Sequence, residues 1–100
     1  MDVHCQSLAE VRANIDRIDR QLVALLAERG AFVAQAARFK RNSEEVKAPQ
    51  RVEQVIAKVR ELAQALGANP DVVEPVYRSM IAAFIQAELA EHAALAQQPG

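Results

Sequence analysis

The chain has 100 residues, 51% of them hydrophobic but only 4% aromatic, 25% charged, and a formal net charge of -1. That bounds it to one domain, residues 1–100 with a core of about 7–95, whose Ala, Val and Leu suit a helical core better than a β-sandwich. The near-neutral balance supplies no basic field for nucleic acid, and no apolar run approaches the ~18 residues of a membrane-spanning helix. A single cysteine, Cys5, leaves no internal disulfide and fits a reducing compartment. The opening MDVHCQSLAE has neither the early basic charge nor the apolar run of a signal peptide, so a cytoplasmic setting is expected.

After a short tail over residues 1–6, Ser7 and Glu10 form an S-x-x-E capping box. From Ser7 to about Arg41 the pattern predicts one uninterrupted helix with an apolar seam Leu8, Val11, Ile15, Ile18, Leu22, Leu25, then Arg29, Phe32, Ala36 and Phe39. The steps alternate three and four, which is a heptad seam. Gly30 is its weak point, costing about 1 kcal/mol against Ala or admitting a close approach of another element. A helix of ~35 residues is about 50 Å long, whereas a compact chain of this size has a radius of gyration near 13 Å. Its ends would be bare without a second copy, so a twofold homodimer is expected.

Arg41–Lys47 (RNSEEVK) is polar, off the pattern, and read as a loop. Ala48-Pro49 opens a second helix with the seam Val52, Val55, Val59, Leu62, Leu66, ended by Gly67. Ala68-Asn69-Pro70 is a turn. Asp71, with Glu74 as box partner, is expected to cap a third helix that tolerates Pro75 near its first turn and runs to about Leu95. Its apolar face is Val73, Tyr77, Ile81, Phe84 and then Glu88. The tail Ala96–Gly100 is expected to fray. Three helices of unequal length, one very long, and no strand signal make an all-α protein.

The chemistry lies in residues that break these patterns. Arg29 sits on the seam where a Leu belongs, and a guanidinium there needs an anionic partner. Glu88 continues an apolar stripe. Either it faces the core, where desolvation favours its neutral, proton-donating form, or the helix has turned to solvent by that point. Lys40, eleven residues after Arg29 on the expected helix, lies within about 20° of the same azimuth and ~16 Å along the axis. Arg51, in the first turn of the second helix, is near enough to share that space or else is solvated. Arg12 is about 25 Å from Arg29 along the axis and meets it only if two long helices run antiparallel. The result is a pocket of cations with one carboxyl, suited to a small, multiply anionic ligand. It has no nucleophile–base pair, with His4 and His92 peripheral and Cys5 in the tail. Glu88 and His92 form one i,i+4 pair with no second motif, so neither a metal nor a cofactor is expected.

The segments S-L-A-E-V-R, I-D-R-I-D-R-Q-L-V-A-L-L-A-E-R and F-K, followed by P-Q-R-V after a short loop, resemble the all-helical class of chorismate mutase. The resemblance runs from about Ser7 to His92 and extends, in A-R-F-K and A-P-Q-R-V, to the related isochorismate-pyruvate lyases. It implies an intertwined homodimeric helical bundle with two active sites, each built from both chains. By that resemblance Arg12 is lent across the interface and Arg29, Lys40 and Arg51 belong to the cationic set. Glu88 takes the third-helix position that hydrogen-bonds the substrate's ether oxygen. Val52 stands where the best-known bacterial mutase pattern has a glutamate for the ring hydroxyl, Ala48 replaces an acidic residue, and Phe84 a small hydroxyl residue. The Ala48/Val52 pair is lyase-like, whereas Glu88 is similar to mutases that use Glu.

The implied reaction is the pericyclic rearrangement of chorismate to prephenate in aromatic amino-acid biosynthesis, which requires no nucleophile. Arg12 and Arg29 would hold carboxylates with Arg51 in support, and Lys40 and a protonated Glu88 would donate to the ether oxygen. The alternatives are an isochorismate-pyruvate lyase giving salicylate and pyruvate, and a non-catalytic helical dimerisation or sensor module.

Overall fold

The computed structural model describes residues 4–96; the ends of the two expected tails, residues 1–3 and 97–100, lie outside the described residues. It contains α1 (Leu8–Ala37), α2 (Ser43–Lys47), α3 (Pro49–Leu66) and α4 (Pro70–Ala96), with no strand among the described residues. The chain divides by contact into two compact units between Phe32 and Val33. The all-α expectation holds, with three long helices and, within the segment expected as a loop, one short helix.

In the first unit, α1 starts as its capping box predicts. Ser7 Oγ accepts from the Glu10 N–H at 3.1 Å, and the Glu10 carboxylate reaches back to the Gln6 N–H. Its apolar seam is largely uncovered: Leu8, Val11, Ile15, Ile18, Leu22 and Leu25 are all exposed. An apolar heptad stripe left in water is costly by about 25 cal/mol per Å².

The second unit is a helical hairpin with a short strap. α3 and α4 pack on one another, and α2 packs on α4. Its core is Ala37, Val46, Ile56, Val59, Ala63 and Ile81. The expected inward face of α3 is therefore rotated. Val59 is buried as expected, but Ile56 and Ala63 join it, while Leu62 and Leu66 are exposed. Ile56, Val59 and Ala63 are spaced three and four apart, and the small Ala63 leaves room for α4 to lie close. The expected stripe on α4 is the inward one, with Ile81 and Glu88 buried and Val73, Tyr77 and Phe84 half-buried.

The helix ends are set by hydrogen bonds. Gly67, at φ 78°, closes α3 in the left-handed region, and the Ala68 N–H bonds the Ala63 carbonyl at 2.8 Å as in a Schellman motif. The cap of α4 is Asn69 rather than Asp71: Asn69 Oδ1 accepts from the Asp71 N–H at 2.9 Å, with Pro70 in the first helical position. Glu74 is thereby released for a charge network. Arg78 donates to both Glu53 oxygens at 2.9 and 3.0 Å and to Glu74 at 2.8 Å, while Arg60 donates to Glu74 at 2.9 Å and Asp71 at 3.2 Å. The Arg78 hydrogen bond chiefly holds the Glu74 carboxyl below its ordinary range, and the Glu53 carboxyl likewise.

Candidate active site

Lys40 does not stand on α1. The helix stops at Ala37, and Arg38, Phe39 and Lys40 instead bond the carbonyls three residues back, at 3.2, 3.0 and 3.3 Å. Phe39, expected on the seam, is 85% exposed. A further barrier to helix lies just downstream. Asn42 is extended (φ -153°, ψ 173°) and its Oδ1 accepts from the Glu45 N–H at 2.9 Å, which caps α2. A residue in that conformation cannot continue α1, so the chain leaves the first helix before it. The azimuth relation between Arg29 and Lys40 on one helix therefore does not apply.

The connection from α1 to α3 is short and heavily pinned. Glu45 accepts from the Arg41 N–H and from Arg41 Nε at 3.2 Å, repeating the arrangement of Glu10 at the start of α1. The Arg41 backbone N–H is the main reason the Glu45 carboxyl lies below its ordinary range, with smaller contributions from the Arg41 side chain and His92. Val46 is 2% exposed and anchors α2. Ala48 then joins α2 to α3 at φ 37°, a left-handed conformation that a non-glycine residue adopts at a cost, immediately before Pro49.

This connection sets Lys40 against α4. Its Nζ lies 2.6 Å from Glu88 Oε2, and the Glu88 side chain is 4% exposed against 26% for Lys40. Glu88 therefore faces inward, the alternative of a helix turned to solvent being excluded. The burial follows from the stripe it continues, and the ammonium is what makes a carboxylate tolerable there. An ammonium has three protons. One serves Glu88, and the partly open face of Lys40 leaves others for a ligand.

His92 is not peripheral. One turn beyond Glu88, its Nε2 is 3.0 Å from the Lys40 backbone carbonyl. The i,i+4 spacing is visible in the sequence, but its target is not. Arg51 stands in the first turn of α3, exposed and without a carboxylate partner among the described residues. Arg12 and Arg29 are on α1 ahead of Phe32, the former exposed and the latter half-buried.

Other concave regions carry different groups. A cleft of about 480 Å³ lies between the N-terminal segment and α1, where Asn14 Nδ2 donates to Cys5 Sγ at 3.6 Å. A depression of about 310 Å³ on the α3–α4 hairpin is occupied by the mutually satisfied Arg60, Arg78, Asp71 and Glu74. No cluster of three His, Cys, Asp or Glu residues fit to hold a metal occurs among the described residues. No helix of the described residues is long and apolar enough to cross a membrane.

Comparison with known proteins places the chain in a family. Over 85 residues the chain is 32% identical to the isochorismate pyruvate lyase of Pseudomonas aeruginosa, covering 85% of this chain and 84% of that protein. It is 36% identical over 75 residues to the T-protein of Enterobacter agglomerans, covering 74% of this chain but 20% of the T-protein. The description of chorismate mutase type II matches residues 11–89, which takes in Arg12, Arg29, Lys40, Arg51 and Glu88. The chain belongs to the chorismate mutase type II family.

Proposed function

We propose that the Lys40–Glu88 pair is the catalytic centre with which this chain rearranges chorismate to prephenate. The observation that carries the proposal is the inward Glu88 carboxyl, 2.6 Å from the Lys40 ammonium, in a chain of this family. In the reaction the ether C–O bond breaks as a C–C bond forms in one cyclic electron movement, and no proton is transferred. The protein's task is to hold the two substrate carboxylates so that the reacting carbons meet, and to stabilise negative charge growing on the ether oxygen. Lys40 donates to that oxygen, and Glu88, accepting from the ammonium at 2.6 Å, orients it. Arg29 and the Arg12 of a second copy bind the carboxylates, supported by Arg51. No cofactor or metal takes part.

The second copy belongs to the same reading. The exposed seam from Leu8 to Leu25 supports a homodimer in which that stripe is covered by its equivalent. Family chemistry and the lone cysteine support a cytoplasmic setting.

A second reading has a specific observation behind it. The relative aligned over 84% of its own length is an isochorismate pyruvate lyase, and Ala48 and Val52 lack the acidic groups of the best-known mutase pattern. The deciding experiment offers purified protein chorismate and isochorismate separately, following prephenate against salicylate plus pyruvate. Turnover of chorismate, strongly reduced in Lys40→Ala, is the expected result. Exclusive turnover of isochorismate would establish the lyase, and turnover of neither would leave a dimerisation or sensor module.

A further inference from the structure

We infer that His92 is a positioning residue: its ring fastens the backbone of Lys40 to α4, so that Lys40 and Glu88 are held by one rigid helix. The inference rests on the catalytic role proposed above for Lys40.

Lys40 stands in irregular backbone between α1 and α2, and its side chain has several rotatable bonds. The local structure ties the Lys40 N–H to the Ala37 carbonyl at 3.3 Å but leaves the far end of the side chain, and so the ammonium, undefined. α4 supplies two attachments. Glu88 Oε2 takes the Nζ at 2.6 Å, and His92, one turn later on the same face, meets the Lys40 carbonyl at 3.0 Å. A carbonyl oxygen only accepts, so the His92 Nε2 carries the hydrogen and donates it, whichever charge the ring bears. One end of the lysine is thus tied through its backbone and the other through its ammonium, both to α4. The neighbouring Arg41 N–H is tied separately to the Glu45 carboxylate. Without the histidine bond, the Lys40 carbonyl loses its link to α4 and the ammonium must be positioned by Glu88 alone. Glu88 can follow Lys40 through its own side-chain freedom, so the pair survives but in a looser place. A catalytic group displaced by about 1 Å can cost up to ~100-fold in rate.

The test is a double-mutant cycle on chorismate turnover, with His92→Leu, His92→Gln, Lys40→Ala and Lys40→Ala/His92→Leu. Gln offers an N–H donor close to the place of the histidine Nε2. The expected results are a fall of kcat by about 10-fold or more in His92→Leu, with KM changed less than about 3-fold, and recovery to within about 3-fold of the parent in His92→Gln. In the Lys40→Ala background His92→Leu should lower kcat by less than about 2-fold, because it acts through a group already removed. A merely structural histidine would reduce kcat by the same factor in both backgrounds, and that outcome overturns the inference. So does a full kcat in His92→Leu while Lys40→Ala is strongly impaired. If Lys40→Ala itself turns over normally, the proposed catalytic centre fails instead. Should His92→Leu not fold, His92→Gln against His92→Asn, whose shorter side chain falls short of the carbonyl, gives the same comparison.

Discussion

The Lys40–Glu88 pair makes a prediction that separates its structural from its catalytic contribution. Lys40→Met removes the ammonium and keeps the apolar stem. Glu88 is then left with a side chain only 4% exposed and without the contact at 2.6 Å. Breaking a fully buried pair costs about 3–5 kcal/mol, and the 26% exposure of the Lys40 side chain places this case lower, at about 2–3 kcal/mol. Glu88→Gln keeps an oxygen to accept from the ammonium and should cost about 1 kcal/mol. Lys40→Met/Glu88→Gln leaves no unpaired buried charge and should be more stable than Lys40→Met by about 1–2 kcal/mol, a non-additivity of about 2–3 kcal/mol. Urea unfolding at one fixed protein concentration measures this, since the stability of a dimer depends on concentration. Equal midpoints for Lys40→Met and the double variant would refute the reasoning, because they would mean that Glu88 needs no counter-charge. Activity should not follow stability: Lys40→Met and the double variant should both lose about 10²–10³ in kcat, the loss typical of a donor to developing oxyanion charge.

Other consequences can be checked separately. Mixing inactive Arg12→Ala with inactive Lys40→Ala and allowing chains to exchange should restore about a quarter of the parental activity, since half the dimers are mixed and each has one intact site; no recovery would mean that Arg12 serves its own chain. Ala48→Gly relieves a left-handed alanine at φ 37° but loosens the unfolded chain, and should stabilise by about 0.5–1 kcal/mol in urea unfolding. The Glu53, Glu74 and Glu45 carboxyls are held below 4.5 when folded, so the unfolded chain binds more protons in acid. Their stabilisation is complete above about pH 4.5 and lost as pH falls through the lowered values. Arg78→Gln should make the acid side of a Tm-against-pH curve shallower, and an unchanged slope would count against the network.

The site is partly legible in the sequence. Glu88 stands out because an acid continuing the stripe Val73, Tyr77, Ile81, Phe84 breaks a periodicity that burial enforces, and the structure buries it. Lys40 stands out as a residue, but periodicity assigns it to the wrong element. The competing signal, N-x-x-E over Asn42–Glu45, is in plain view. It reads as loop because five residues are too few to show apolar periodicity. His92 looks peripheral because spacing reports that two side chains share a face, not what lies opposite them.

The sequence by itself determined the all-α class, the three long helices, the cap at Ser7, the stop at Gly67 and the inward stripe of α4. Each depends on interactions within a few residues of the chain, which local pattern encodes. Only the tertiary structure decided that α3 turns Ile56 and Ala63 inward rather than Leu62 and Leu66, that Asn69 displaces Asp71 as a cap, and that Glu88 and His92 take hold of the two ends of Lys40. Those contacts join residues up to 52 positions apart. Which atoms meet at such separations is fixed by how helices pack, and no single helix carries that information in its own periodicity.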